Sequence, residues 1–182
     1  MYYLLECYGP ADQERMAIDS VPPGISWHRG ERFSDPVPTP LPVTLDGDGI
    51  LVPMFNRGIL LFSDDLVSAV REAGVDNIDV YEVELLDPVN NQRYTNYKAI
   101  NIIGLVAAAD LAKSDYHAPS GRALIDTDFD SLAIDESKAR GLLMFRLAES
   151  VNAIVVHASV RTHIERHEIP YLDFVEPSQW IG

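Results

Sequence analysis

Three histidines near the end of the sequence have the residue type and spacing that come closest to a metal site. His163 and His167 lie four residues apart, and His157 lies six residues before His163. A zinc-protease helix needs a glutamate directly after its first histidine, but Ile164 stands at that position. The stripe that both histidines form with Val160 and Ile164 is typical of a packed helix face. The sequence therefore predicts half-buried packing residues and no resident metal or cofactor. If a metal binds, the candidate ligands are His157, His163 and His167.

A second group consists of five acidic side chains within eleven residues, with no basic residue among them: Asp126, Asp128, Asp130, Asp135 and Glu136. The spacing imitates the start of a calcium loop, but serines stand where that loop needs its glycine and its glutamate. One interpretation is a solvated loop, in which Phe129 and Leu132 turn the chain against the core. The other is an electrostatic contact for a basic protein, so these five residues are the candidate partner-binding site.

The remaining motifs favour a protein without catalytic machinery. Neither a phosphate-binding glycine loop nor a nucleophile elbow occurs, and Gly47-Asp48-Gly49 is typical of a turn. Cys7 lies in an apolar N-terminal strand, where burial raises the pKa of a thiol, so it is predicted to be a core residue. A single cysteine also excludes an internal disulfide. We therefore expect that the protein is not an enzyme.

The charge balance restricts the class of partner. The 182 residues include 14 Lys+Arg and 28 Asp+Glu, which gives a formal net charge of −14. This charge repels nucleic-acid phosphates and anionic membranes, and it favours encounter with a basic protein. The N-terminal apolar run stops at Glu6 without a basic segment before it, and no apolar run approaches the roughly 20 residues that span a bilayer. We expect a cytoplasmic protein that binds neither nucleic acid nor membrane directly.

The elements that would position these residues are strands and a few short helices. Ser63 and two following acids are typical of a helix start, and Gly74 is typical of its end. Period-2 alternation predicts a strand over residues 79–85, antiparallel to a second strand over residues 94–106. Further strands are predicted at 142–148, 153–156 and 171–175, with a helix at 159–166. The predicted class is α+β, with a mostly antiparallel sheet.

The prolines are concentrated in one segment of the sequence. Seven of the 12 prolines fall between Pro22 and Pro53. Because proline fixes φ and lacks an amide donor, residues 22–53 are predicted to form an extended, irregular, proline-rich N-terminal arm. This arm either packs over its own core or binds another domain as a proline-rich ligand. Acidic residues are spread evenly along the chain, so residues 1–182 are predicted to form one domain, with a regular α+β core at 54–180.

Several short stretches together resemble a known family. They are Tyr2-Tyr3-Leu4-Leu5, Ser63-Asp64-Asp65-Leu66-Val67, Tyr97-Lys98-Ala99-Ile100-Asn101-Ile102, Asp110-Leu111-Ala112-Lys113-Ser114 and Leu143-Met144-Phe145-Arg146-Leu147. In this order they are similar to the eleventh of the numbered immunity-protein families of bacterial polymorphic toxin systems, long catalogued as a domain of unknown function. The similarity covers residues 53–180 together with the N-terminal strand.

The resemblance implies a protein that binds and neutralises a cognate toxin domain in the cytoplasm of the producing cell. It supplies no catalytic residues, and a stoichiometric inhibitor needs only a rigid surface with aromatic or acidic anchors. Two alternatives stay open. One is a small metal-dependent enzyme that uses the histidines, and the other is an adaptor that uses the proline-rich arm. Neither the toxin, the binding face nor the oligomeric state is predicted.

Overall fold

The computed structural model describes residues 1–119, 121–123 and 125–182, which contain two α-helices and fourteen strands. The helices are α1 (Asp64–Glu72) and α2 (Ala158–Arg166), and neither is long and apolar enough to cross a membrane. The strands are β1 (Tyr2–Cys7), β2 (Ala17–Ser20), β3 (Leu41–Asp46), β4 (Met54–Arg57), β5 (Ile59–Ser63), β6 (Ile78–Asp87), β7 (Gln92–Tyr94), β8 (Tyr97–Ile102), β9 (Leu105–Val106), β10 (Asp115–His117), β11 (Asp128–Ser131), β12 (Met144–Leu147), β13 (Ile154–His157) and β14 (Leu172–Val175).

Two sheets form the scaffold. The larger sheet has the strand order β2-β3-β6-β8-β5-β4, with β7 paired to β6, and the smaller has the order β14-β1-β13-β12-β9. The strands β10 and β11 form a separate antiparallel ribbon. Among the described strands, only the pairs β3–β6 and β9–β12 are parallel. The predicted α+β class with a mostly antiparallel sheet is confirmed.

Helix α1 begins and ends where its sequence signals predicted. The backbone N–H of Leu66 donates to the hydroxyl oxygen of Ser63 at 3.4 Å, which satisfies one of the free amides of the first turn. Asp64 and Asp65 occupy that turn, where the helix dipole favours negative charge. Gly74 follows the helix with φ of +92°, a conformation that glycine adopts without steric cost.

The predicted pair of antiparallel strands exists, but its second member is not continuous. Strand β6 pairs with β8, with Ile78 opposite Ile102. The prediction of one strand over residues 94–106 is wrong, because the chain passes from the larger sheet to the smaller at Gly104. This glycine has φ of +145°, and a Cβ atom there would lie 3.3 Å from the side chain of Leu142. Hydrophobic periodicity does not reveal such a change of sheet.

The smaller sheet is buried on both faces. One face, which includes Leu5, Met144 and Ile154, belongs to a core shared with the larger sheet and both helices. The other face packs against a second core that also contains residues of the ribbon and of the C-terminal segment: Tyr2, Leu4, Phe129, Phe145, Leu147, Val155 and Trp180. The ribbon therefore lies over the outer face of this sheet, and its outward side chains are available to a partner.

The proline-rich segment is less irregular than predicted. Within residues 22–53, Leu41–Asp46 form β3, which pairs with β6 inside the larger sheet, so the prediction of an irregular arm is wrong for these six residues. Every second residue of β3 is buried, and this alternation outweighs the proline content. Earlier in the segment, Trp27 is 1% exposed and packs edge-on against Phe33 and Tyr81. The arm thus lies on the protein's own core.

Candidate functional site

A cleft of about 840 Å³ opens beside the end of β1. It is lined by Pro119 and by parts of six further chain segments: residues 6–8, 15–18, 54–57, 125–128, 150–152 and 180–182. The cleft therefore lies where the ends of both sheets meet the segment that leads into β11. We call it the acidic cleft, because its lining includes the three carboxylates of Glu6, Asp126 and Asp128 beside the two guanidinium groups of Arg15 and Arg57.

The first three of the predicted partner-binding residues are displayed together. Asp126, Asp128 and Asp130 are exposed, whereas Thr127 and Phe129 between them are each 1% exposed. The prediction of a solvated loop is therefore wrong for Asp128–Ser131, which form strand β11. Within β11, strand alternation places Asp128 and Asp130 on one face and buries Phe129 on the other, while Asp126 precedes the strand and forms an isolated bridge with Ser150. The predicted turn of this segment against the core is confirmed at Phe129 and Leu132, which is also 1% exposed.

The last two predicted partner-binding residues do not line the acidic cleft. Asp135 begins a short 3-10 helix and accepts hydrogen bonds from the amide and hydroxyl of Ser137 at 3.1 and 2.6 Å. These bonds lower the pKa of the Asp135 carboxyl. Glu136 accepts a hydrogen bond from the N-terminal ammonium of Met1 at 2.8 Å. Both carboxylates thus make intramolecular contacts away from the cleft. Of the five predicted residues, Asp126 and Asp128 line the cleft, and Asp130 follows them on β11.

Exposed apolar side chains stand beside these acids. Tyr8, Ile125 and Ile181 line the cleft, although 59%, 65% and 77% of their respective surfaces are exposed. Their exposure could not be predicted from the sequence, because an apolar residue is first assigned to the core. An exposed apolar patch ringed by polar groups is typical of a protein-binding surface.

Ile125 has an unusual backbone conformation. Its φ is +72°, which is a rare outlier for a β-branched residue. Two hydrogen bonds hold it there: its amide donates to the carbonyl of Ala148 at 2.8 Å, and its carbonyl accepts from the amide of Val151 at 3.3 Å. No local sequence signal predicts this conformation, since glycine or asparagine is the expected residue in the left-handed region.

Three further ionisable residues that line the acidic cleft, Glu6, Arg15 and Cys7, make contacts within the protein. The carboxylate of Glu6 accepts a hydrogen bond from the indole of Trp180 at 2.8 Å. Burial raises the pKa of Glu6, while this bond and nearby Arg15 oppose the increase. Arg15 donates to the carbonyl of Cys7 at 2.5 Å. Cys7 is buried, as predicted, and burial raises the pKa of its thiol, which disfavours the reactive thiolate. These contacts fix the wall of the cleft and favour binding over catalysis.

The three candidate histidines separate into two places. His157 caps the N-terminus of α2, where its Nδ1 accepts from the amide of Ser159 at 3.3 Å. His163 and His167 lie near the other end of α2, with ring centroids 5.3 Å apart. His163 is half-buried, as predicted, whereas the prediction is wrong for His167, which is exposed at the end of α2. They meet Glu72, the last residue of α1, which is 91 positions before His163 and which the sequence did not indicate.

These three side chains form a cluster that could hold a metal ion. Their ligand atoms all lie within 4.8 Å of one another among the residues that the structure describes. We call Glu72, His163 and His167 the histidine cluster. It differs from the predicted set of three histidines in one ligand, because α1 supplies a carboxylate where His157 was considered.

No protein-family model matches the sequence, and no curated protein matches it. The resemblance to an immunity-protein family therefore stays a prediction.

Proposed function

We propose that this protein is a stoichiometric inhibitor that binds and blocks a basic toxin domain, as immunity proteins do. The observation that carries the proposal is the display of Ile125 beside Asp126 and Asp128. An exposed apolar side chain is held there in a strained backbone conformation at the edge of a cleft. The resemblance noted in the sequence points to the same function.

The strain at Ile125 favours a role in contact with a partner. A non-glycine residue in a sparsely populated conformation costs about 1–3 kcal/mol and persists where the surrounding structure imposes it. An isoleucine that is 65% exposed recovers little of that cost by burial within its own chain. Packing Ile125 and the neighbouring Tyr8 and Ile181 into a partner would bury apolar surface at the centre of an interface.

The charge of the molecule specifies the chemistry of the partner. The net charge of −14 raises the encounter rate with a basic protein, and the acids at the cleft orient that encounter. Asp126, Asp128 and Asp130 are exposed and alternate with the buried Thr127 and Phe129 along one chain segment. Lysine and arginine side chains around a toxin active site would pair with such a row, and the apolar residues would fill the centre of the contact.

The adaptor alternative has less support. It needs a proline-rich arm that is free to enter another domain, yet the arm packs against the core at Trp27 and contributes strand β3 to the larger sheet. The alternative of a small metal-dependent enzyme depends on the histidine cluster, which is separate from the cleft.

A toxicity-rescue assay tests the proposed function directly. Candidate toxin domains encoded by neighbouring genes are expressed with and without this protein, and each purified pair is examined for a 1:1 complex. Growth restored only by this protein, together with a stable complex, is the expected result. Absence of both rescue and complex would contradict the inhibitor proposal.

The Ile125→Gly variant tests the anchor. Glycine adopts positive φ freely, so we expect the stability of the variant to equal or exceed that of the wild type. Affinity for the toxin domain should fall about tenfold or more, as for a central interface residue. Val89→Gly is the matched control, since Val89 is a β-branched residue that is 57% exposed and does not line the cleft. Equal affinity of the two variants would remove Ile125 from the interface.

A charge-reversal set tests the acidic row. In the test variant, lysine replaces Asp126, Asp128 and Asp130; in the control variant, it replaces Glu31, Asp35 and Asp76, which are exposed outside the cleft. Both variants change the net charge equally. We expect the test variant to associate more slowly at low salt and to lose more of the salt dependence. Equal association rates for the two variants would show that only total charge matters.

A further inference from the structure

Helices α1 and α2 bring together side chains from distant parts of the sequence. Helix α1 follows β5 of the larger sheet, and α2 follows β13 of the smaller sheet. The four-residue spacing of His163 and His167 places both on one face of α2. Glu72 ends α1 against this face, so one carboxylate and two imidazoles converge at the junction of the two helices.

The distances in this cluster match those between the ligands of a metal ion. The Oε2 atom of Glu72 lies 3.6 Å from Nε2 of His163 and 3.4 Å from Nε2 of His167. Metal–ligand bonds of about 2.0–2.1 Å at tetrahedral angles separate neighbouring ligands by about 3.3 Å. The ligand atoms of the two imidazoles lie within 4.8 Å of each other, so these side chains must approach by up to about 1.5 Å to share one ion.

An unsatisfied atom independently points to a ligand. Nε2 of His163 is buried and has no hydrogen-bond partner among the described residues, although the imidazole ring as a whole is partly exposed. Buried polar atoms are almost always paired, so this unpaired nitrogen needs an explanation, and a metal ion shared with Glu72 supplies one. The lone pair of a neutral imidazole is a metal ligand, and the facing carboxylate of Glu72 supplies the compensating negative charge.

We propose that Glu72, His163 and His167 bind one divalent transition-metal ion, with Zn²⁺ as the reference metal. Imidazole nitrogen with carboxylate oxygen suits zinc, iron, nickel and copper, whereas calcium and magnesium prefer oxygen ligands alone. Three protein ligands leave a coordination position for water or another small ligand. The site is independent of the proposed inhibitor function, because none of its three residues lines the acidic cleft.

The position of the ion predicts a measurable effect on stability. A metal that binds the folded chain and joins α1 to α2 stabilises the fold by mass action. For a chain of this size, free zinc at a hundredfold excess over the dissociation constant should raise Tm by about 5–10 °C. Toxin binding need not change for this effect to appear.

Calorimetric titration of the full, chelator-treated chain with Zn²⁺ tests the site, and Co²⁺ absorption reports the ligand geometry. We expect one ion per chain and the Tm increase given above. His163→Ala, His167→Ala and Glu72→Gln should each weaken zinc binding at least about tenfold. His117→Ala is the matched control, since His117 is an exposed histidine on β10 outside the cluster.

Two outcomes would overturn the proposal. The first is zinc binding by the wild type that is no tighter than binding by the His163→Ala and His167→Ala variants. The second is an unchanged affinity in Glu72→Gln, which would show that the carboxylate is not a ligand and only pairs electrostatically with the imidazoles. Circular dichroism of every variant separates loss of a ligand from loss of the fold.

Discussion

Replacing Arg146 with methionine should stabilise this protein, because the buried guanidinium is poorly compensated. Arg146 lies on β12 and is 0% exposed. Its Nη1 donates to the carbonyl of Val151 at 2.8 Å, but Nε and Nη2 have no partner in the described parts of the chain. Burial lowers the pKa of Arg146 to about 10. A buried charge without a counter-ion destabilises the folded state.

The magnitude follows from this pKa. A folded-state pKa of about 10, well below that of a free guanidinium, corresponds to roughly 3 kcal/mol of free energy against the charged form. Because the folded-state value is the lower one, this destabilisation is fully present below about pH 10 and is relieved as the pH rises above it. Loss of the hydrogen bond to Val151 destabilises the variant by about 1 kcal/mol and offsets part of this gain. The net gain is about 2 kcal/mol, or an increase in Tm of about 4–8 °C.

Urea unfolding of the Arg146→Met variant at pH 7 measures this difference. Arg71→Met provides the control, since Arg71 is exposed on α1 and the same replacement there should change stability by no more than about 0.5 kcal/mol. An equal m-value in all three proteins ensures that the midpoints can be compared. A methionine variant more than about 1 kcal/mol less stable than the wild type would refute the reasoning, because it would show that the guanidinium is well compensated in solution.

Two further substitutions test a helix cap and a buried acid. Ser63→Ala should lower the free energy of unfolding by about 1 kcal/mol, because it removes the acceptor for the Leu66 amide. Urea unfolding measures this change, with Ser68→Ala at an exposed position of α1 as the control. Equal losses of stability in the two variants would contradict the prediction. Glu149 is 4% exposed, and burial raises its pKa, so its stability contribution is lost as pH rises through the folded-state value. Glu149→Gln should therefore exceed the wild type in thermal stability at pH 7, with the gap closing below pH 4.5; a pH-independent gap would contradict this.

Features set by neighbouring residues could be predicted from the sequence. The start of α1 depends on Ser63 and two acids beside it, and its end depends on Gly74, all within one short segment. The alternation in β6 likewise follows from residues that are adjacent in the chain. Such signals act over one turn or a few residues, so they need no knowledge of tertiary contacts.

Features that depend on tertiary position could not be predicted. Gly104 looks like an interruption in an apolar run, yet it is where the chain changes sheets. Glu72 is one of 28 acids, and only the packing of α1 against α2 brings it to His163. Ile125 has an ordinary side chain, and its positive φ is imposed by hydrogen bonds to residues more than 20 positions away. Both candidate sites depend on contacts of this kind.

The two proposed sites differ in how they are held, and this difference separates their functions. At the acidic cleft, the burial of Phe129 and the hydrogen bonds of Ile125 fix the backbone. The apolar and acidic side chains that would meet a partner are exposed. A surface of that kind suits a large partner, which supplies the complementary groups itself. At the histidine cluster, Glu72, His163 and His167 each offer one ligand atom, and these atoms lie within 4.8 Å of one another. That arrangement suits one small ion and offers little surface for a protein. Because the two sites share no residue, a failure of metal binding would leave the inhibitor proposal intact, and the converse also holds.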